Sequence, residues 1–348
     1  MVPTSTNRPR PKPSILKRHH ATTHRPTIRI RLHPRRRCGR PQPPHIRAVV
    51  ATETLRIGGM FAGYSGLEMG VMQVLDAQPA WFAEIDDAPA RILAHHYPEV
   101  PNLGDVTKVD WGSVPPIDIL TAGYPCQPFS QAGHRKGTND ERHLWPHVLN
   151  AIKHLRPRIA VFENVRGHVT LGLAEVLEDL ASIGWDAQWA CVRASDVGAP
   201  HHRERLFILA YPNSERPQAS GLALRPAPQI TWDNDLLDTL AGLNRAPDID
   251  HEMKLCWGDS APAILTWAML TNRNPPLIVI DHEDKALHPR FPETRAATNP
   301  EFIEWMMGLP PGWVTGVPGL SRNQQLKALG NGVVPAQSAY ALNHLLNP

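Results

Sequence analysis

Cys126 is the residue of this chain whose surroundings point most directly to chemistry. It follows an apolar run at 117–122 that predicts a buried parallel strand, and it lies on a turn stiffened by Pro125 and Pro128. Open α/β sheets bind their ligands at the carboxyl ends of the strands, so the thiol is placed where a substrate would bind. A thiolate held there can act as a nucleophile, although a small buried apolar residue is the alternative.

Charged residues follow two further predicted strands. Glu163 ends the strand at 158–163, next to the strand before Cys126, and a half-buried carboxyl group can be protonated near neutral pH. Its alternative role is to stabilise a helix N-terminus. Arg203 and Arg205 alternate along a strand, which predicts two guanidinium groups pointing into one cleft, unless both are simply exposed.

The features of a nucleoside-binding site come earlier in the chain. Gly63 and Gly66 form a turn after the first predicted strand, where the absence of side chains lets the backbone approach a ligand. Glu84 ends the second strand and can accept hydrogen bonds from both ribose hydroxyls, and Asp105 can accept one from an adenine amine. Each of these features alone is more often an ordinary turn or a solvated carboxylate.

Five segments of the chain form an ordered set: Phe61-Ala62-Gly63-Tyr64-Ser65-Gly66-Leu67-Glu68, Pro125-Cys126-Gln127, Glu163-Asn164-Val165, Arg203-Glu204-Arg205 and Gly330-Asn331-Gly332-Val333-Val334-Pro335. Together they resemble the motifs of the C5-cytosine DNA methyltransferases. The resemblance covers about residues 55–211 and 297–348, and the ordered set is far more specific than a Pro-Cys dipeptide alone.

The resemblance implies methyl transfer from S-adenosylmethionine to C5 of cytosine. Cys126 would attack C6, Glu163 would hydrogen bond N3 and the N4 amine, and Arg205 would hold O2. Arg203 would brace the Cys126 loop or bind phosphate. The residues expected to bind the cofactor are Phe61, Ala62, Gly63, Gly66, Leu67, Glu84, Asp105, Asn331 and Val333.

A cytosine stacked in a duplex cannot be reached, so the base must be flipped out of the double-stranded DNA. The loop after Cys126 is expected to bind phosphate and fill the vacated space, and Trp257 lies in the expected recognition region. The loop residues expected to contact DNA are Gln127, Ser130, Arg135 and Lys136.

Some positions depart from the family pattern. Gly59 stands where the family often has an acidic or hydroxyl residue, His201 where it usually has Gln, and Phe302 where it often has Glu. The catalytic set is unaffected by these departures.

Strands alternating with helices predict an α/β fold with a doubly wound, mostly parallel, Rossmann-like sheet. We expect a catalytic domain at 54–212, completed by 297–348, and a small loop-rich target-recognition domain inserted at 213–296. The predicted strands are 55–61, 80–85, 100–106, 117–122, 158–163, 185–193 and 205–210. The predicted helices are 67–76, 86–96, 143–155, 171–182, 299–307 and 334–346.

Charge is distributed unevenly along the 348 residues. Residues 1–50 carry 11 Arg, 2 Lys and no acidic residue, a charge of +13, whereas the whole chain has a net charge of only +3. Residues 1–53 are therefore predicted to be a basic disordered extension. Two explanations stay open: the extension binds phosphates, or translation starts upstream of the native start.

Composition narrows the class of protein. The four cysteines are scattered without metal or disulfide spacing, and no apolar run is long enough to span a bilayer. We expect a cytoplasmic monomer without a metal, in a bacterial cell or a phage-infected host, paired in function but not in a complex with a restriction endonuclease. The alternatives are a tRNA cytosine-5 methyltransferase, which the inserted segment would distinguish, and a DNA-binding protein without turnover.

Overall fold

A single mixed sheet organises the protein. The computed structural model describes residues 53–125, 144–214, 258–281 and 296–347. Six strands lie in the order β2-β1-β3-β4-β6-β5; the first four are parallel, and β6 is antiparallel to both β4 and β5. The strands are β1 (Leu55–Met60), β2 (Ala77–Ala83), β3 (Ile119–Ala122), β4 (Ile159–Val165), β5 (Trp185–Arg193) and β6 (Glu204–Pro212). The predicted doubly wound, mostly parallel sheet is confirmed.

Helices cover the sheet, and a two-stranded antiparallel ribbon precedes the C-terminal segment. The helices are α1 (Gly66–Val74), α2 (Asp87–His96), α3 (Trp145–Leu155), α4 (Leu173–Ser182), α5 (Ala261–Thr271), α6 (Pro300–Met306), α7 (Arg322–Asn331) and α8 (Pro335–Leu346). The ribbon consists of β7 (Val279–Asp281) and β8 (Ala296–Thr298). No helix in these described ranges is long and apolar enough to cross a membrane.

Strand alternation divides the core into two layers. Ile57, Ile119 and Ile159 face α1 and α8, whereas Leu120 and Ala160 on the same strands face α3 and α4. Both faces of the central strands are buried, which explains their continuous apolar sequences.

The strand predicted at 100–106 does not form. Only Asn102 pairs with the sheet there, through an isolated bridge to Phe82. Pro101 has no N–H to donate, and Gly104 turns the chain with a φ of +72°. The side chain of Asn102 replaces the missing ladder, since its amide exchanges two 3.0 Å hydrogen bonds with the backbone of Glu84.

Two helices were not predicted. The mostly polar sequence of α7 buries only Ala328 and Leu329, so it has no apolar periodicity to detect. The helix α5 lies inside the segment predicted to be rich in loops, yet Ile264 and Trp267 are buried among residues of the C-terminal segment. The indole N–H of Trp267 donates to the carbonyl oxygen of Trp305 at 2.8 Å. The described helix of this segment is therefore packed against the C-terminal segment.

Gly66, at the start of α1, is predicted to be intolerant of any side chain. A Cβ there would overlap the backbone carbonyl oxygen of Val333 and lie 2.7 Å from the ring of Tyr64. We expect Gly66→Ala to lower the free energy of unfolding by about 3 kcal/mol, measured by urea denaturation. Gly167→Ala is the control, because nothing lies within 4 Å of its Cβ position. Equal stability of the two variants would contradict the close packing.

Candidate active site

A cavity of about 840 Å³ opens at the carboxyl ends of the parallel strands. Ten residues proposed from the sequence as site residues line it, although they come from widely separated segments: Phe61, Ala62, Gly63, Leu67, Glu84, Asp105, Glu163, Arg205, Asn331 and Val333. The topology thus brings the predicted nucleoside-binding and catalytic residues into one space.

Glu84 holds one end of this cavity in shape. Its Oε2 accepts the N–H of Gly63 at 2.9 Å, and its Oε1 accepts the N–H of Asp86 at 2.8 Å. Burial raises the pKa of Glu84, although these two N–H groups act in the opposite direction. An ionised carboxylate offers about four acceptor positions, so two hydroxyl groups of a ligand can still be accommodated.

Asp105 lies in the cavity wall beyond Glu84. Its Oδ1 accepts both the hydroxyl of Thr107 at 2.7 Å and the N–H of Thr107 at 3.0 Å, and its Oδ2 lies 3.3 Å from Nζ of Lys108. The hydrogen bonds from Thr107 lower the pKa of Asp105. The group is therefore an ionised acceptor facing the same space as Glu84.

An ion pair joins the C-terminal segment to this end of the cavity. Nζ of Lys327 lies 2.8 Å from Oδ2 of Asp86, and both residues line the cavity. Exposed pairs of this kind contribute only about 0–1 kcal/mol, so the contact adds little to stability.

Glu163 on β4 and Arg205 on β6 form a second charged group, separated in the sheet from β2 and Glu84 by β1 and β3. Oε1 of Glu163 lies 3.0 Å from Nε of Arg205, and Glu163 is 9% exposed. Burial raises the pKa of Glu163, whereas Arg205 and then Arg203 lower it. A carboxyl group under these opposing influences can hydrogen bond a polar ring either as donor or as acceptor.

Asn164 fixes the turn that leads to Cys126. Its Nδ2 donates to the carbonyl oxygen of Tyr124 at 3.1 Å, and Pro125 lines the cavity. Six residues proposed from the sequence lie outside the described residues. They are the nucleophile, four residues of the loop after it and the tryptophan of the expected recognition region: Cys126, Gln127, Ser130, Arg135, Lys136 and Trp257.

Arg203 and Gly66 lie behind the cavity wall. The strand β6 begins at Glu204, and Arg203 precedes it with a φ of 27°, so the expected alternation with Arg205 on one strand face does not apply. The Arg203 guanidinium donates to the carbonyl oxygens of Gly330 and Gly332 instead. Arg203 thereby holds the C-terminal turn that supplies Asn331 and Val333.

Glu68 is a cavity residue that the sequence analysis did not single out. It is fully buried, its Oε1 accepts the hydroxyl of Thr121 at 2.6 Å, and its Oε2 has no hydrogen-bond partner. Glu68 ends the segment Phe61–Glu68 that resembles a family motif, but the sequence analysis assigned no role to its side chain.

Comparison with known proteins identifies the family of the chain that carries this site. The family model described as C-5 cytosine-specific DNA methylase matches residues 55–255. The chain belongs to this family. The resemblance inferred from the five motifs is therefore confirmed.

Curated relatives match over part of their length. The Type II methyltransferase M.NlaIV of Neisseria lactamica is 35% identical over 166 residues, which are 43% of this chain and 39% of that protein. The Orphan methyltransferase M.SPRI of Bacillus phage SPR is 32% identical over 163 residues, 44% of this chain and 37% of that protein. The chain thus spans about two fifths of the length of these relatives.

Solved structures support the fold. Dnmt2 methyltransferase of S. pombe has a TM-score of 0.55 at 17% identity and covers 84% of this chain and 99% of its own. A putative DNA modification methyltransferase encoded within an E. coli prophage has a TM-score of 0.53 at 20% identity, covering 84% of this chain and 100% of its own. At these identities the likeness concerns the fold alone.

The buried carboxyl group of Glu68 is predicted to make stability depend on pH. Burial raises its pKa in the folded state, so folding favours the protonated form. Below the unfolded-state pKa, near 4.3, this contribution to the free energy of unfolding is complete. As pH rises from there through the folded-state pKa, the contribution decreases by about 1.4 kcal/mol for each pH unit. Glu68→Gln cannot titrate, so its free energy of unfolding does not decrease for this reason.

The free energy of unfolding of Glu68→Gln should therefore increase relative to wild type as pH rises from 4 to 8. Urea denaturation of both proteins across this range measures the difference, and contributions shared by both proteins cancel. A constant difference at all pH values would show that Glu68 does not titrate upon folding.

Proposed function

We propose that the protein is a DNA (cytosine-5-)-methyltransferase that uses S-adenosylmethionine and a covalent Cys126 adduct. The observation that carries this proposal is the arrangement of the cavity, with Glu84 and Asp105 beside β2 and the Glu163–Arg205 pair on β4 and β6, beyond β1 and β3. Pro125, the residue before Cys126, lines the same cavity. A nucleoside cofactor and a pyrimidine base therefore fit in one continuous space.

The residues present suit S-adenosylmethionine. Glu84 has acceptor capacity left for ribose hydroxyls, Asp105 can accept from the adenine amine, and exposed Ile85 adds an apolar wall beside them. The acidic lining suits a ligand with cationic groups, and Glu68 adds a buried carboxyl group. The bound cofactor supplies a methyl group made electrophilic by the sulfonium.

The protein groups then act on the cytosine ring. The Cys126 thiolate forms a bond to C6 while the Glu163 carboxyl group protonates or hydrogen bonds N3, which turns the ring into an enamine that is nucleophilic at C5. Arg205 holds Glu163 and O2 of the base, and Arg203 keeps the C-terminal turn in place. After C5 is methylated, a base removes the C5 proton and the Cys126–C6 bond breaks by elimination.

Double-stranded DNA is the substrate in this proposal, and the target base must leave the stack to reach the cavity. Gln127, Ser130, Arg135 and Lys136 follow Cys126 and carry groups that bind phosphates or fill the space left by the base. The Type II names of the relatives support a functional pairing with a restriction endonuclease.

Covalent trapping tests the mechanism. Duplexes containing 5-fluorocytosine should trap the wild type, because fluorine at C5 cannot leave as a proton does. Glu163→Gln should lower kcat by about 10²–10⁴-fold, and Cys126→Ser should abolish trapping and methyl transfer.

Cys191→Ser is the matched control, because Cys191 lies on β5 and burial raises the pKa of its thiol. This variant should keep both trapping and turnover. A Cys126→Ser protein that methylates DNA at the wild-type rate would refute the proposed nucleophile.

Sequence specificity is proposed to reside in the segment 213–296, whose Asn, Asp, Arg and Trp residues can read or pack beside base edges. Replacing part of this segment by the equivalent residues of a relative tests the proposal. Because α5 packs into the core through Trp267, the replacement should be restricted to residues 215–257. The hybrid should methylate a different sequence, always at cytosine C5, as mapped by bisulfite sequencing. An active hybrid with the original target sequence would place specificity elsewhere.

A further inference from the structure

Glu68 occupies a space that the neighbouring strands leave open for its carboxyl group. Gly59 on β1 pairs with Thr121 on β3, and the Glu68 carboxyl group lies over both residues. A Cβ at position 59 would lie 2.7 Å from Oε1 of Glu68 and 3.0 Å from Cδ1 of Phe82. The absence of a side chain at Gly59 therefore admits a carboxyl group carried by α1.

Only half of this carboxyl group is satisfied. Oε1 accepts the Thr121 hydroxyl, whereas Oε2 is buried without a hydrogen-bond partner within 3.5 Å. Burial has the larger effect and raises the pKa of Glu68, but the Ser65 hydroxyl, which also lacks a partner, is near enough to lower that pKa in part. Leaving a buried acceptor unpaired costs about 1–3 kcal/mol, and such groups in native proteins are explained by a bound water, ion or ligand or by strain. Glu68 also lines the cavity, which places an unmet acceptor beside the ligand space.

The position of Glu68 in the cavity indicates which part of a ligand it meets. The Glu68 carboxyl group lies over β1 and β3, which separate β2, the strand before Glu84, from β4, the strand that carries Glu163. In the proposed function Glu84 meets the ribose and Glu163 the base, so a cofactor that reaches between them would place its amino acid portion near the start of α1. The helix N-terminus suits the carboxylate of that portion, and a side-chain carboxylate suits its ammonium group.

We propose that Glu68 is a cofactor-positioning residue whose Oε2 accepts a hydrogen bond from the ammonium group of the methionine moiety of S-adenosylmethionine. A bridging water molecule would serve the same purpose. The inference rests on the proposed function, because it assumes that this cofactor binds in the cavity.

Calorimetry with three nucleosides separates this role from a structural one. S-adenosylmethionine and S-adenosylhomocysteine both carry the ammonium group, whereas 5′-methylthioadenosine has no amino acid portion. Glu68→Gln keeps an oxygen for Thr121 and replaces Oε2 by an amide that donates. Its affinity for the first two should fall about tenfold, while the affinity for 5′-methylthioadenosine stays within about twofold of wild type.

Two further variants complete the design. Glu84→Gln changes the adenosine end and should weaken the binding of all three nucleosides. Gly59→Asp combined with Glu68→Ala returns a carboxylate to the same space from β1, and it should bind S-adenosylhomocysteine more tightly than Glu68→Ala alone. This rescue cannot be expected if Glu68 only fills volume.

Several results would overturn the inference. Equal weakening of all three nucleosides by Glu68→Gln would mean a structural role, and weakening of S-adenosylmethionine alone would place the contact at the sulfonium. Unchanged binding would remove Glu68 from the site. Wild-type protein that binds none of the three would refute the proposed cofactor as well, whereas normal wild-type binding without the selective effect refutes only this inference.

Discussion

The contact between the β1–α1 turn and the C-terminal turn is the constraint on which the site depends. The hydroxyl of Tyr64 donates to the carbonyl oxygen of Val333 at 2.8 Å, across 269 residues of sequence, and Gly66 packs against the same carbonyl group. Arg203 holds the adjoining carbonyl oxygens from a third segment. Because both turns contribute residues to the lining of one cavity, these contacts hold adjoining parts of its wall together.

Buried carboxyl groups set the geometry around this contact. Glu304 on α6 accepts the N–H groups of Gly312, Val314 and Thr315, at 2.6–3.0 Å, and so fixes the loop whose Trp313 donates to the carbonyl oxygen of Tyr64. Glu304 lies two residues after Phe302, which stands where the family often has Glu. In this chain a buried carboxylate is thus present on α6, two residues after the position where the family often has Glu.

The sequence allowed good prediction of features that follow from local apolar patterns. The strands β1, β3, β4, β5 and β6 were predicted to within two residues at each end. Continuous apolar runs mark β3, β4 and β6 as strands buried on both faces, whereas β5 at the edge of the sheet is only partly buried. Strand direction predicted the positions of Phe61 and Glu163 at the carboxyl ends of β1 and β4, whereas Asn331 and Val333 were expected only from the resemblance to the family motif. The burial of Glu68 and the helix α7 could not be predicted, since their environments are created by segments far away in the chain. The strand predicted at 100–106 was wrong, because the side chain of Asn102 makes the hydrogen bonds that a strand would make through its backbone.

Joining the turn after the first strand to a residue 269 positions later in the sequence also has a consequence for the order of folding. A contact between distant residues forms slowly, because closing the loop between them costs chain entropy before the contact stabilises it. Val333 contacts this turn, and the helix Pro335–Leu346 packs on α1 through Ser338, only after that loop has closed. The strands β1 and β2 are near neighbours in the sequence and can pair earlier, so the complete cavity is expected to form late in folding.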